Sequence, residues 1–220
     1  MFDRELFEYL QSYLTERRQT LLREKAGQRT RFITVVMEDL YQAHNTSAVM
    51  RSCDVYGIQD LHLVERRFGK RMDREIAMGA QKWVDLHRYQ NSDDCLDQMR
   101  AKGYKLIATS PHESSVDLPD FQLCEPVALI FGTEKEGISK EVLDRCDECL
   151  KIPMYGFTES LNVSVSAAII LYQLSQQLRS SELPWRLSEE EQLTLIDAWT
   201  RRSIKSVDQI IERFEQTKNS

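Results

Sequence analysis

Short runs of β-branched and aliphatic residues recur along the middle of this chain, and the segments between them have the spacing of helices. Phe32 to Met37 (F-I-T-V-V-M) is the clearest run and reads as a strand buried on both faces. Further strands are predicted at Leu61–Val64, Val84–Tyr89, Tyr104–Thr109, Val127–Phe131 and Cys149–Pro153. Between them, Asn45 is placed to cap a helix carrying Ala48, Val49, Cys53 and Tyr56, with Gly57 as its stop. A short helix is expected around Ile76–Ala80, one from Ser92 to Ala101, one beginning near Ser139, and a long one from Leu161 to Arg179. Strands alternating with helices at crossover spacing predict an α/β fold, a mostly parallel sheet covered by helices on both faces.

The flanks read differently. Leu6, Leu10 and Leu14, with Phe7 and Tyr13 beside them, recur at helical spacing, and the helix continues through Leu21 and Leu22 to Gly27. Leu183-Pro184-Trp185 breaks the pattern as a linker. Beyond it, Ser188 and Glu191 make a capping-box pair ahead of Leu195, Ile196 and Trp199, and Val207, Ile210, Ile211 and Phe214 form another stripe. The expected organisation is a helical extension over 1–30, an α/β domain over 31–180 and a second helical extension over 181–220. The tail helices are too short to stand alone, so they must dock on the body or on a second copy.

No apolar run approaches the ~20 residues of a membrane span, and the first ten residues mix charges with apolar side chains, unlike a signal peptide. Five cysteines without a regular framework point to a reducing compartment, hence a cytoplasmic location. Cys146 and Cys149 make a C-x-x-C, but no second pair lies at finger-like spacing, so core thiols and no metal are expected. The net charge of −6 is unevenly spread: residues 105–150 carry −6, residues 1–31 carry +2, and the segment from Arg66 to Arg74 carries +4. A local basic patch is what supplies phosphate contacts, so overall acidity does not exclude a polyanionic partner. Arg66, Arg67, Lys70, Arg71 and Arg74, with Arg17, Arg18, Arg23 and Arg29, form the candidate backbone-binding surface, which Arg201, Arg202 and Lys205 can join. A solvated basic loop is the plainer reading of the same charges.

Ligands of parallel α/β sheets sit beyond the carboxyl ends of the strands. Three predicted loops leave such ends with polar tips: His44-Asn45 with Arg51, Gly132 to Gly137, and Ile152 to Asn162. In the last, a tight Pro/Gly loop feeds a small-residue helix, and Ser160 and Asn162 stand at its positive, donor-rich start. Singly, Asn45, Ser160 and Asn162 read as caps, Arg51 as a surface charge, and Glu134 as one of ten acids between residues 105 and 150. A G-x-G-x-x-G fingerprint and a Walker sequence are both absent, which removes the main support for dinucleotide binding or ATP hydrolysis.

Jointly these stretches are specific. N-T-S-A-V-M-R-S-C-D-V-Y-G from Asn45, A-L-I-F-G-T-E-K-E-G-I-S from Ala128 and K-I-P-M-Y-G-F-T-E-S-L-N-V-S-V-S-A-A from Lys151 resemble, in order and spacing, the three motifs of the SpoU/TrmH family. These are SPOUT-class RNA ribose 2′-O-methyltransferases, and the resemblance spans roughly Phe32 to Arg179. The short helical flanks look most like the branch acting on guanosine 18 of the tRNA D-loop. The resemblance implies a C-terminal trefoil knot, S-adenosylmethionine bent into it, a homodimer, and tRNA as partner. By position it assigns cofactor contacts to Thr109, Gly132, Ile152, Met154 and Leu161, and the polar functional positions to Asn45, Arg51, Glu134, Ser160 and Asn162. Thr46, Thr133 and Glu159 depart from the residues common in relatives, and Glu159 adds a negative charge where RNA would dock.

The chemistry so implied moves a methyl group from a sulfonium to a ribose hydroxyl, which leaves the protein to position that hydroxyl and help remove its proton. The family proposal gives the base role to the equivalent of Arg51. A guanidinium with pKa above ~12 is neutral in only about one molecule in 10⁵ at pH 7, so Arg51 is read as fixing an RNA phosphate and polarising the hydroxyl. The proton then leaves through that phosphate or water. Competing readings are the same chemistry on ribosomal RNA or another tRNA nucleotide, a non-catalytic RNA-binding factor on the same fold, and a small-molecule enzyme.

Overall fold

The computed structural model describes residues 2–39, 43–65, 79–110, 115–133 and 136–218 of the 220-residue chain. By contacts it divides into two compact units, one of residues 30–185 and one formed by residues 1–29 with 186–220.

In the larger unit the strands are β1 (Ile33–Glu38), β2 (Asp60–Val64), β3 (Asp85–Tyr89), β4 (Lys105–Thr109), β5 (Val116–Asp117), β6 (Val127–Phe131) and β7 (Glu148–Lys151). Among the described residues they form one seven-stranded sheet in the order β3-β2-β1-β6-β4-β7-β5, with every pairing parallel. Its helices are α3 (Ala43–Tyr56), α4 (Ser92–Ala101), α5 (Lys140–Leu143) and α6 (Val163–Arg179). Both faces of the central strands are buried, as a run like V-A-L-I-F requires. Val127, Leu129 and Phe131 of β6 point to the side of α3 and α6, where they meet Met50, Ala167 and Leu171. Ala128 and Ile130 point to the side of α4 and α5, where they meet Leu96, Met99 and Val142.

Several local expectations change. Asn45 does not cap α3; it lies inside the first turn with its side chain buried. Gly57 does end that helix, at a φ of +80 that favours glycine. The two-residue strand β5 stands in the expected Ser110–Pro126 loop, too short to leave a sequence signal. Of the helix expected at Ile76–Ala80, residues 76–78 lie outside the described residues, and a 3₁₀ turn occupies Ala80–Lys82. Leu183 and Trp185 pack on the α6 side of the core, with the Arg179 guanidinium 4.9 Å from the Trp185 ring.

In the smaller unit the expected opening helix is two helices, α1 (Arg4–Gln11) and α2 (Glu16–Ala26). The break occurs because Thr15 accepts the N–H of Arg18 and starts a second helix. From the other end of the chain come α7 (Glu189–Ser203) and α8 (Val207–Lys218). Ser188 and Glu191 form the reciprocal capping box. The tail finds its partner in the N-terminal helices: Leu10, Leu22 and Ala26 are buried with Leu195, Ile196 and Trp199, and Gln11 donates to the Thr200 hydroxyl.

Candidate active site

β4, β6 and β7 end side by side, and the loops leaving them enclose a cavity of about 320 Å³. That lies within the roughly 300–1,000 Å³ of small-molecule sites. Thr109, Gly132, Ile152, Met154 and Leu161, which the family resemblance assigned to the cofactor, all line it, together with Ser160. Thr109 at the end of β4 donates its hydroxyl to the carbonyl of Ile130 on β6 at 2.8 Å, which ties the two strand ends together.

Gly132 is compulsory for steric reasons. A Cβ there would lie 2.2 Å from the Gly137 carbonyl carbon and oxygen and 2.3 Å from the Ile138 nitrogen. The chain doubles back between them: Thr133 N–H donates to the Gly137 carbonyl at 2.9 Å, Gly137 N–H donates back at 3.1 Å, and Gly137 takes φ +70. Gly132 is thus required by the close approach of two backbone segments, and the main chain of Gly132, Gly137 and Ile138 forms part of the recess wall. Phe131, Leu150, Val163 and Ile170 supply the apolar floor.

Asn162 is the N-cap of α6, its carbonyl oxygen accepting the Ser164 N–H at 2.8 Å. Its amide nitrogen donates to the Asn45 carbonyl oxygen at 3.3 Å, so the first and third stretches meet. Ser160 sits exposed at the cavity edge, two residues before the Asn162 cap. Arg51 lies exposed on α3, two turns along from Asn45, and does not line the cavity. Glu134 lies outside the described residues.

Sequence reasoning passed over Ser110 and Ser166, which also line the cavity. Val163, Ser166 and Ile170 recur at i, i+3 and i+7, so helical spacing from the Asn162 cap carried the signal.

Of the basic candidates, Arg66, Arg67, Lys70, Arg71 and Arg74 lie outside the described residues. Arg17 and Arg23 are exposed on α2 and Arg18 is half-buried there. Arg29 is a correction: it is buried, its guanidinium 5.2 Å from the Trp199 ring, and serves the packing of its own unit. Arg201 is held by Asp197 at 2.8 Å. Burial, then the neighbouring Cys149 and Asp147, push the Cys146 thiol up to about 12, which keeps it protonated. Among the described residues no group of three or more His, Cys, Asp or Glu side chains is arranged to hold a metal, and no helix is long and apolar enough to cross a membrane.

The model of the SpoU rRNA Methylase family matches residues 32–172. A tRNA (guanosine(18)-2′-O)-methyltransferase of Borreliella burgdorferi is 34% identical over 93% of this chain and 94% of its own length. The crystal structure of the TrmH/SpoU tRNA modifying enzyme of A. aeolicus superposes with a TM-score of 0.78 at 30% identity, covering 86% of this chain and 98% of the other. The methyltransferase AviRb from Streptomyces viridochromogenes, crystallised with AdoMet, gives 0.63 at 26% identity over 72% of this chain and 65% of the other. With more than half its length matched by that family model, the chain belongs to the SpoU methylase family.

Proposed function

We propose that this protein transfers a methyl group from S-adenosylmethionine to the ribose 2′-hydroxyl of guanosine 18 in tRNA. The observation that carries this is the recess at the ends of β4, β6 and β7, whose wall includes the main chain of Gly132 and whose rim carries Ser160. Its size, apolar floor and exposed main chain fit S-adenosylmethionine, with Thr109, Gly132, Ile152, Met154 and Leu161 as the residues that would hold it. The choice of tRNA and of guanosine 18 is supported by relatives of that name that match nearly the whole chain.

When bound, the cofactor supplies an already activated methyl on its sulfonium. The chain's own part is to bring the ribose oxygen into line with that carbon and to let its proton go. Asn45 and Asn162 brace each other, and Asn162 holds the start of α6, so the Ser160 loop has a fixed root. Arg51 fixes an RNA phosphate beside the target and polarises the hydroxyl, whose proton passes to the phosphate or to water as the C–O bond forms and the C–S bond breaks. Glu134, two residues after Gly132 in sequence, completes the set of polar residues in this reading. In this reading Arg17, Arg18 and Arg23 contact tRNA phosphates, and so do the basic residues of the segment from Arg66 to Arg74.

The working form in this reading is a homodimer. α6 leaves Val165, Ile169 and Tyr172 exposed at i, i+4 and i+7, Val55 of α3 lies open, and Tyr155 and Phe157 are fully exposed. An exposed apolar stripe such as the one on α6 marks an interaction site. The reading also includes the trefoil knot, with which the strand order, β7 lying between β4 and β5, is consistent.

Purified protein, labelled S-adenosylmethionine and a tRNA transcript test the proposal. Label is expected at the ribose of guanosine 18 and is expected to vanish when guanosine 18 is replaced by its 2′-deoxy form. Label placed in ribosomal RNA or at another tRNA nucleotide overturns the substrate, and no transfer to any RNA overturns the activity.

A further inference from the structure

Glu38 ends β1 with its side chain buried at 5% exposure, where a carboxylate needs partners. It has three. One oxygen accepts the Ser139 N–H at 2.9 Å, and the other accepts the Ser139 hydroxyl at 2.7 Å and the Ser92 hydroxyl at 3.1 Å. Ser139 caps α5 and directly follows Gly137 and Ile138, which line the recess. Those two residues are the backbone that Gly132 approaches so closely. The chain leaves Glu38 through Asp39 at φ +48, a conformation uncommon for a residue with a side chain, so the carboxylate stands on a sharply turned corner.

We propose that Glu38 is a positioning residue for cofactor binding. By gripping both the N–H and the hydroxyl of Ser139, it sets where Gly137 and Ile138 stand against Gly132, and so the width of the recess. Ser92 begins α4 and does not line the recess, so the third bond serves the fold alone. The inference rests on the methyltransferase reading above.

The test is the dissociation constant for S-adenosylmethionine, by titration calorimetry on the full chain, for wild type, Glu38→Ala, Glu38→Gln, Ser139→Ala and Ser92→Ala. Melting temperature, tRNA binding and steady-state kinetics are read in parallel. Glu38→Ala is expected to weaken cofactor binding by about tenfold or more, the scale of losing hydrogen bonds to a charged group. KM for the cofactor rises while kcat at saturation stays close to wild type, and tRNA affinity is unchanged. Ser139→Ala keeps the N–H bond and should fall between. Glu38→Gln, whose amide oxygen still accepts from Ser139, should recover part of the loss, and Ser92→Ala should bind as wild type does. Wild-type affinity in Glu38→Ala overturns the inference, as does an equal loss in Ser92→Ala or a fall in kcat with KM unmoved. Where Glu38→Ala does not fold, wild-type affinity in both Ser139→Ala and Glu38→Gln overturns it. Failure of the wild type itself to bind S-adenosylmethionine overturns the methyltransferase reading instead.

Discussion

The amide nitrogen of Asn162 donates to the carbonyl oxygen of Asn45 at 3.3 Å, joining the first residue of α6's cap to the interior of α3 across 117 positions of sequence. Asn45 is buried, so loss of either side chain leaves a polar group without that partner. Asn162→Ala should cost about 1 kcal/mol from the lost cap, and Asn45→Ala a comparable amount. In a double-mutant cycle followed by urea unfolding, the two should couple by about 0.5–1.5 kcal/mol. Strict additivity would mean that the bond contributes nothing.

Gly132→Ala should abolish cofactor binding. Its methyl group would meet backbone carbonyl and nitrogen atoms at 2.2 and 2.3 Å, and backbone cannot swing aside as a side chain can. Overpacking of this kind destabilises by about 1–3 kcal/mol, so the melting temperature should fall as well. Calorimetric titration with S-adenosylmethionine gives the first readout and thermal unfolding the second.

Arg51→Lys separates charge from shape. Arg51 is exposed and lies off the recess, so cofactor affinity should be unchanged. Methyl transfer should fall by at least about tenfold in kcat, because an ammonium offers a point charge and not a planar fork. A lysine variant of full activity would remove bidentate phosphate contact from the mechanism.

Ile169→Glu places a charge in the middle of the open stripe on α6. Light scattering after gel filtration should show a dimer for wild type and a monomer for the variant, with the circular dichroism of the sheet retained. A wild-type chain that runs as a monomer at all concentrations would exclude the self-association.

Acid should destabilise the larger unit earlier than carboxylates alone would dictate. Burial, then the charge on His87, lower His62 from 6.5 to about 3 despite the pull of Asp60. Between those values the unfolded chain binds a proton that the folded chain refuses, so stability falls as the pH drops from about 6.5 towards 3. Asp60 adds to this lower down. Burial raises its carboxyl, but the His87 hydrogen bond and the Arg31 charge outweigh that and hold it below its usual 3.8, so its contribution is lost as the pH falls through the folded value. Urea midpoints at pH 7 and pH 5 should differ in wild type, and His62→Gln should flatten the difference.

Much of the fold was legible because burial on both faces forces apolar runs such as F-I-T-V-V-M and V-A-L-I-F, and because Gly57 and Gly103 stop helices at φ +80 and +82. Strand order was not, since nothing local in V-D at 116–117 says that it will pair with L-K at 150–151. The recess was legible through the family resemblance, which pointed to Thr109, Gly132 and Leu161, and not through any local pattern. Asn45 misled because a good capping residue also makes a good buried amide once a partner such as Asn162 arrives from far along the chain. Arg29 misled because a guanidinium lies as readily over a buried indole as in water. Glu38 closes an apolar run, and the meaning of its carboxylate depends on Ser139, 101 positions away.

The smaller unit has a consequence for synthesis. α1 and α2 bury Leu10, Leu22 and Ala26 beside Leu195, Ile196 and Trp199, residues that leave the ribosome only after the whole sheet has emerged. Helices of 8 and 11 residues do not persist unaided. α1 and α2 are therefore among the last elements to settle, and a nascent chain halted short of α7 would carry them frayed and sticky.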